Sequence, residues 1–127
     1  MQYNNADDVG TVGPYPITIG RGRVSVEEAP VRMLNPKSPV MRFPNPVTPA
    51  DFSGWVQERG LYFPSKWDEH YEAPIESADP GENPLKGGVL FTRYGEGAYI
   101  YTSYSWFRQL PAGVPGAYRI FANMLSQ

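Results

Sequence analysis

Hydrophobic and polar positions fall into clear periods in the last third of the chain. Val89 to Tyr94 and Ala98 to Tyr104 are two runs of apolar, β-branched and aromatic residues on either side of Gly95-Glu96-Gly97. A period of two sets Leu90, Thr92 and Tyr94 on one face of the first arm, with Val89 and Phe91 on the other. In the second arm Ile100, Thr102 and Tyr104 alternate with Tyr99, Tyr101 and Ser103. Neither face is plainly polar. The spacing therefore predicts a β-hairpin covered on both sides along part of its length, its glycines supplying a turn that needs positive φ. Behind it Ala117, Ile120, Phe121, Met124 and Leu125 recur at three- and four-residue spacing. That stripe, with Pro115 in the first turn, predicts a helix laid on the sheet to close a core.

The earlier chain is less regular. Gln2-Tyr3-Asn4 is a short strand candidate in a polar leader, and Tyr15 to Ile19 reads as an edge strand. Gly20-Arg21-Gly22 reads as a turn into Arg23 to Val26, and Pro30 to Leu34 as a further strand. Five prolines (36, 39, 44, 46 and 49) make 35–49 a loop, ordered by Val40, Met41 and Phe43. Thr48 as N-cap, Pro49 at the first helical position and Asp51 three residues after the cap predict a helix. Phe52, Trp55 and Val56 share its apolar face, and Gly60 ends it. Tyr71 to Ser77 is a strand candidate and Asp79 to Pro84 a turn-rich loop. The expected fold is α+β in one domain over 1–127. It comprises a small mixed or antiparallel sheet with a C-terminal β-hairpin, two short helices and long Pro/Gly-rich loops.

Charge and composition narrow the chemistry. A net charge of −2 and a pI near 5.3 give no electrostatic reason to expect nucleic acid or an anionic membrane. No apolar run reaches membrane-spanning length, and MQYNNADDVG has neither the basic nor the apolar part of a signal peptide. The absence of cysteine excludes disulfides, thiolate zinc sites and a cysteine nucleophile in this chain and leaves the compartment open. The one histidine, His70, lies in Trp67-Asp68-Glu69-His70-Tyr71-Glu72. A metal or acid/base site there would need a second cluster elsewhere, so a solvated charged loop is the favoured reading. Gly20 and Gly22 lack the third glycine and the helix of a phosphate loop, and Asp79 with Glu82 lacks calcium-loop spacing. Ser65 and His70 have no G-x-S-x-G elbow to support them. No catalytic residue, metal or cofactor is expected. Aromatics are 14% of residues, and their number carries the case for binding. The candidate binding set is Trp55, Tyr62, Trp67, Tyr99, Tyr101, Trp106 and Arg108, set against a plainer reading in which most rings are packing.

Three long segments carry a resemblance: Asp51 to Pro64 (DFSGWVQERGLYFP), Tyr94 to Thr102 (YGEGAYIYT) and Phe107 to Arg119 (FRQLPAGVPGAYR). They resemble the distal part of the glutamine-amidotransferase-like domain in long bacterial PIG-L/LmbE-family proteins. Those proteins are de-N-acetylases of N-acetylglucosamine-type substrates. The similarity runs from Gln2-Tyr3-Asn4 and Gly13-Pro14-Tyr15-Pro16 to the final helix. It implies a half-domain of partial amidotransferase-like α/β architecture that serves as a non-catalytic accessory or interaction module. That family's zinc site resembles A-H-P-D-D with a later histidine pair, which one histidine cannot supply and Asp7-Asp8 does not replace. An amidotransferase would also need the missing cysteine. The implied partner is a larger chain such as a deacetylase, or a second copy. Without the early parallel strands an open edge is expected at Tyr99 to Tyr104, and with it a homo-oligomer or stable complex held by apolar contact and strand addition. The alternative from another class is a small carbohydrate-binding module that uses exposed Trp and Tyr.

Overall fold

A computed structural model describes residues 13–127. The strand candidate at Gln2-Tyr3-Asn4 and the Asp7-Asp8 pair lie outside the described residues. The fold is α+β, built from β1 (Ile17–Val24), β2 (Val31–Met33), α1 (Pro39–Arg42), a 3₁₀ helix (Pro49–Phe52), β3 (Gly60–Trp67), β4 (Ile75–Ser77), β5 (Leu85–Lys86), β6 (Val89–Tyr94), β7 (Gly97–Thr102), α2 (Trp106–Gln109) and α3 (Pro115–Leu125). Among the described residues the strands form three small sheets, β1-β3, β2-β4-β5 and β6-β7, in which every pair is antiparallel.

The hairpin is organised around a shorter turn than the sequence pattern implied. Tyr94 pairs with Gly97, so Gly95-Glu96 alone makes the turn and Gly97 belongs to β7. Gly95 has φ +58°, whereas Gly97 is not among the positive-φ residues. A two-residue loop with its glycine first matches the right-handed twist of the arms. Cross-strand pairs divide the side chains as the alternation required: Leu90 opposite Tyr101, and Phe91 opposite Ile100. Val89 and Phe91 enter the main core, while Leu90 and Tyr101 enter a second one. The base of the hairpin is thus a wall shared by two cores, and Val89 to Thr92 are all buried.

The main core gathers Val24, Phe52, Trp55, Phe63, Tyr104, Trp106 and Ile120 from β1, the 3₁₀ segment, β3, the hairpin exit and both C-terminal helices. Helix α3 closes it with Ala117 and Ile120, but Leu125, expected on that stripe, is 74% exposed. Asn123 takes a buried place on the same face. Its Oδ1 accepts from the Asn45 N–H (2.9 Å) and its Nδ2 donates to the carbonyls of Val40 (2.9 Å) and Asn45 (2.7 Å). This ties the proline-rich loop to the helix. Within that loop Val40 and Met41 are buried on α1, an element the sequence did not announce, and Phe43 faces solvent instead of ordering the loop.

Three expectations are corrected. The helix starting at Thr48 ends at Phe52 as a single 3₁₀ turn, because Ser53 is extended and Gly54 and Gln57 take φ of +75° and +64°. Asp51 still accepts the Thr48 N–H (2.9 Å), so the start signal was real and the length was not. Gly60 opens β3 and does not cap a helix. The Gly20-Arg21-Gly22 turn is absent: β1 runs straight through it, and the two glycines sit among register shifts against β3. Instead of ending a helix, Arg59 is buried. Its guanidinium donates to the Ala29 carbonyl (3.0 and 2.7 Å) and to the Phe52 carbonyl, and lies 5.6 Å and 5.7 Å from the rings of Phe52 and Trp55. Gln109 braces the same irregular stretch, pairing with Val56 through both its N–H (2.8 Å) and its carbonyl (2.9 Å).

Candidate binding surface

The seven residues singled out from the sequence go to three places. Trp55, Trp106 and Tyr101 are 3%, 5% and 4% exposed, so their rings are packing elements with no face to offer a ligand. Trp55 and Trp106 pack edge to face at 5.3 Å in the main core. Arg108, on α2, is an intramolecular tie: its Nε lies 3.5 Å from the Glu58 carboxylate and it hydrogen-bonds Gln57. Tyr62, Trp67 and Tyr99 are half-buried and come together with Tyr101 around the second core, which also holds Ile17, Ile19, Tyr71 and Leu90. The structure thus separates a tryptophan-rich core from a tyrosine-rich surface.

That surface contains residues outside the candidate binding set. Tyr15 stacks on His70, ring centroids 4.0 Å apart and planes at 5°, and meets Tyr71 and Tyr94 edge to face at 6.0 and 5.9 Å. Tyr71 fixes Tyr15 from below, accepting its backbone N–H (3.3 Å) and donating to its carbonyl (2.9 Å). Burial raises the Tyr71 pKa above the ordinary tyrosine value. His70 is itself held, because one oxygen of Asp68 accepts its backbone N–H (2.9 Å) and pairs with Nδ1. Those bonds to the His70 backbone and ring hold the Asp68 pKa below the usual carboxylate range. Glu69 and His70 are exposed in a turn, as a solvated charged loop requires, and the Asp-x-His spacing that tightens this turn was the available signal for the held imidazole.

Two shallow clefts flank the distal part of the hairpin. One, of about 390 Å³, is lined by Gly13, Pro14, Tyr94, Gly97, Ala98 and Tyr99. The other, of about 380 Å³, is lined by Pro39, His70, Glu72, Phe91, Thr92 and Arg93. Glu72 is held in place by Ser38 (2.9 Å) and Asn35 (3.4 Å), and Arg93 lies over the Phe91 ring at 5.3 Å. Tyr94, which lines the first cleft, is 60% exposed. The first cleft offers ring faces and backbone, and the second an imidazole, a carboxylate and a guanidinium. Among the described residues no group of three or more His, Asp or Glu side chains is placed to hold a metal ion. Among them, too, no helix is long and apolar enough to cross a membrane. No protein-family model, curated protein or solved structure matches the chain.

Proposed function

We propose that this chain is a non-catalytic accessory module that contacts a larger partner through the tyrosine-rich end of its hairpin. The partner implied by the sequence resemblance is a PIG-L/LmbE-type deacetylase domain. The observation that carries the reading is the exposed Tyr94 ring in the wall of an open cleft, packed edge to face on the Tyr15 that stacks on His70. Tyrosines held by packing lose little side-chain freedom on docking, which suits them to recognition surfaces. Calorimetric titration with a purified deacetylase domain of that family tests it. Tyr94→Ala should weaken binding about tenfold or more, roughly 1.4 kcal/mol, while Phe107→Ala on α2 leaves it unchanged. No heat with the unaltered chain would remove the reading.

A second reading, a small carbohydrate-binding module, is favoured by one feature, the cleft in which Tyr94 and Tyr99 stand beside Pro14. Rings in such a setting stack on the apolar faces of sugars. Retardation in an affinity gel containing N-acetylglucosamine oligomers, lost in Tyr94→Ala, would select it over the first.

A further inference from the structure

We propose that the cleft of about 380 Å³ beside β6 is a binding site for a small zwitterion of the α-amino acid class, its ammonium on Glu72 and His70 and its carboxylate on Arg93. The backbone explains why these three side chains share one cleft. Glu72 and Phe91 form an antiparallel bridge and exchange both their bonds (2.8 and 3.0 Å). Residues paired in this way point their side chains to the same face, and Arg93, two residues beyond Phe91, follows it there. His70 enters from the turn that Asp68 holds, and Pro39 at the start of α1 adds an apolar wall. Gly13 lies elsewhere, against Tyr71 and Tyr99. Tyr99 is paired with Thr92, which puts it on the opposite face of the hairpin from Phe91 and Arg93.

Each of the three groups is held in place with bonding capacity to spare. Glu72 is half-buried and accepts from Ser38 Oγ (2.9 Å) and Asn35 Nδ2 (3.4 Å). Both donors are neutral, and they fill about half of the roughly four acceptor positions of a carboxylate. Arg93 rests on the Phe91 ring, 5.3 Å from its centroid, and makes one long contact of 3.5 Å to the Gln127 carbonyl. The other donors of its guanidinium fork are unused. His70 is pinned by the Tyr15 stack (4.0 Å) and by Asp68 at Nδ1, so Nε2 is the acceptor nitrogen of the neutral ring. Among the described residues Glu72 and Arg93 pair neither with each other nor with another charged side chain, and none of the three side chains makes a further bond.

Two unpaired charges of opposite sign in one cleft select a ligand that carries both. A simple amine would satisfy Glu72 and meet an unanswered Arg93, and a simple carboxylate would bond Arg93 while facing Glu72. An α-amino acid places an ammonium and a carboxylate a few atoms apart and answers each. Its ammonium donates to the Glu72 carboxylate and to His70 Nε2, and its carboxylate takes the planar guanidinium fork, the pairing for which arginine is best shaped. The cleft volume falls in the range of small-molecule sites. Neither Tyr94 nor the cleft it lines takes part, so the proposal goes beyond the accessory reading and does not depend on it.

Nuclear magnetic resonance titration of the full chain, labelled with nitrogen-15, is the test, with each of the common α-amino acids added up to about 10 mM. At least one should shift the amide signals of Glu72, Phe91 and Arg93, with a dissociation constant of about 1 mM or below. Its carboxamide, which has no carboxylate, and its N-acetyl derivative, which has no ammonium, should each bind about tenfold more weakly or worse. Glu72→Gln and Arg93→Gln should each weaken binding to a similar extent, and Glu96→Gln in the hairpin turn should leave it unchanged. Glu72 also anchors Asn35 and Ser38, so circular dichroism accompanies its variant. Arg93→Gln and the two derivatives leave that anchor untouched and decide the matter alone. The absence of a shift with every amino acid would overturn the proposal. So would a derivative that binds as tightly as its parent, or binding that survives Arg93→Gln.

Discussion

Gly116 stands where α3 crosses the 3₁₀ helix, and its replacement by alanine is the sharpest test of how this fold is held. A β-carbon built there would lie 1.8 Å from the Asp51 carbonyl oxygen, 2.4 Å from its carbon and 2.5 Å from its Cα. An ordinary C···O contact is about 3.3 Å, so the two elements would have to part by about 1.5 Å. Asp51 cannot step aside. Its carboxylate accepts from the Thr48 N–H (2.9 Å) and from Arg119 Nε (3.1 Å), and its carbonyl accepts the Trp55 indole N–H (3.1 Å). Moving α3 instead would lift Ala117 and Ile120 out of the main core. Alanine gains about 1 kcal/mol over glycine in a helix, and overpacking typically costs about 1–3 kcal/mol, more at a site pinned on both sides. Lifting α3 also weakens the packing of Ile120, so the net should be a destabilisation of about 3 kcal/mol or more. For a chain of this size that lowers Tm by about 10 °C or more. Thermal and urea unfolding followed by circular dichroism would measure it. Gly54→Ala serves as control, since Gly54 has φ +75° and open space around it, and should cost only about 1 kcal/mol. A Gly116→Ala protein as stable as the parent would show that the α3 crossing is looser than described and refute the argument.

Three further outcomes are expected. Gly95→Val should cost about 1–3 kcal/mol by forcing a β-branched residue to positive φ, whereas Gly97→Val, where a β-carbon meets nothing closer than 3.7 Å, should be mild; equal melting temperatures for the two would contradict the turn assignment. Tyr104 is fully buried with its hydroxyl 2.9 Å from Ser77 Oγ, and burial pushes its pKa up to about 12 from 10.0. Because the folded value lies above the unfolded one, the stability it confers is intact below pH 10 and is lost as pH rises toward 12, by about 2–3 kcal/mol of unfolding free energy measured by urea titration; Tyr104→Phe should flatten that alkaline loss. Arg59→Met leaves the Ala29 and Phe52 carbonyls without their donors and should cost about 3 kcal/mol, and Arg59→Lys should recover less than half, since a single ammonium nitrogen cannot occupy the places of the three guanidinium nitrogens that reach the two carbonyls; full recovery by lysine in denaturant titrations would show that the charge alone matters.

The parts of the fold that were legible are those in which local and global preferences agree. The hairpin has period-two alternation, β-branched arms and a glycine turn, and α3 has an apolar stripe behind a proline; in both the chain's neighbours in sequence are also its neighbours in space. The segment after Thr48 shows the opposite case. Its N-cap, proline and Phe52-Trp55-Val56 spacing are all helical signals, yet Gly54 at φ +75° ends the helix, and Trp55 reaches the core from a loop. Apolar spacing reports which side chains must be buried, and a bent loop can bury them as well as a helix can.

Binding residues were harder to read for a related reason. Whether a ring is a core element or a contact surface depends on what lies across from it, and that is set by residues far away in sequence. Trp55, Tyr101 and Trp106 were covered by Phe52, Tyr62 and α3, while Tyr94 was left in the open by a turn one residue tighter than the glycines suggested. Two polar residues sit inside the fold for the same kind of reason: Arg59 and Asn123 each bridge two backbone carbonyls supplied by segments far away in sequence. Asn123 did leave a trace, since it falls three residues after Ile120 on the buried face of α3, where a polar side chain survives only if it is bonded. Tyr62 left none. Nothing in its type or its neighbours demands positive φ, so that conformation is a property of the assembled sheets, set where β3 leaves the hairpin exit to pair with β1.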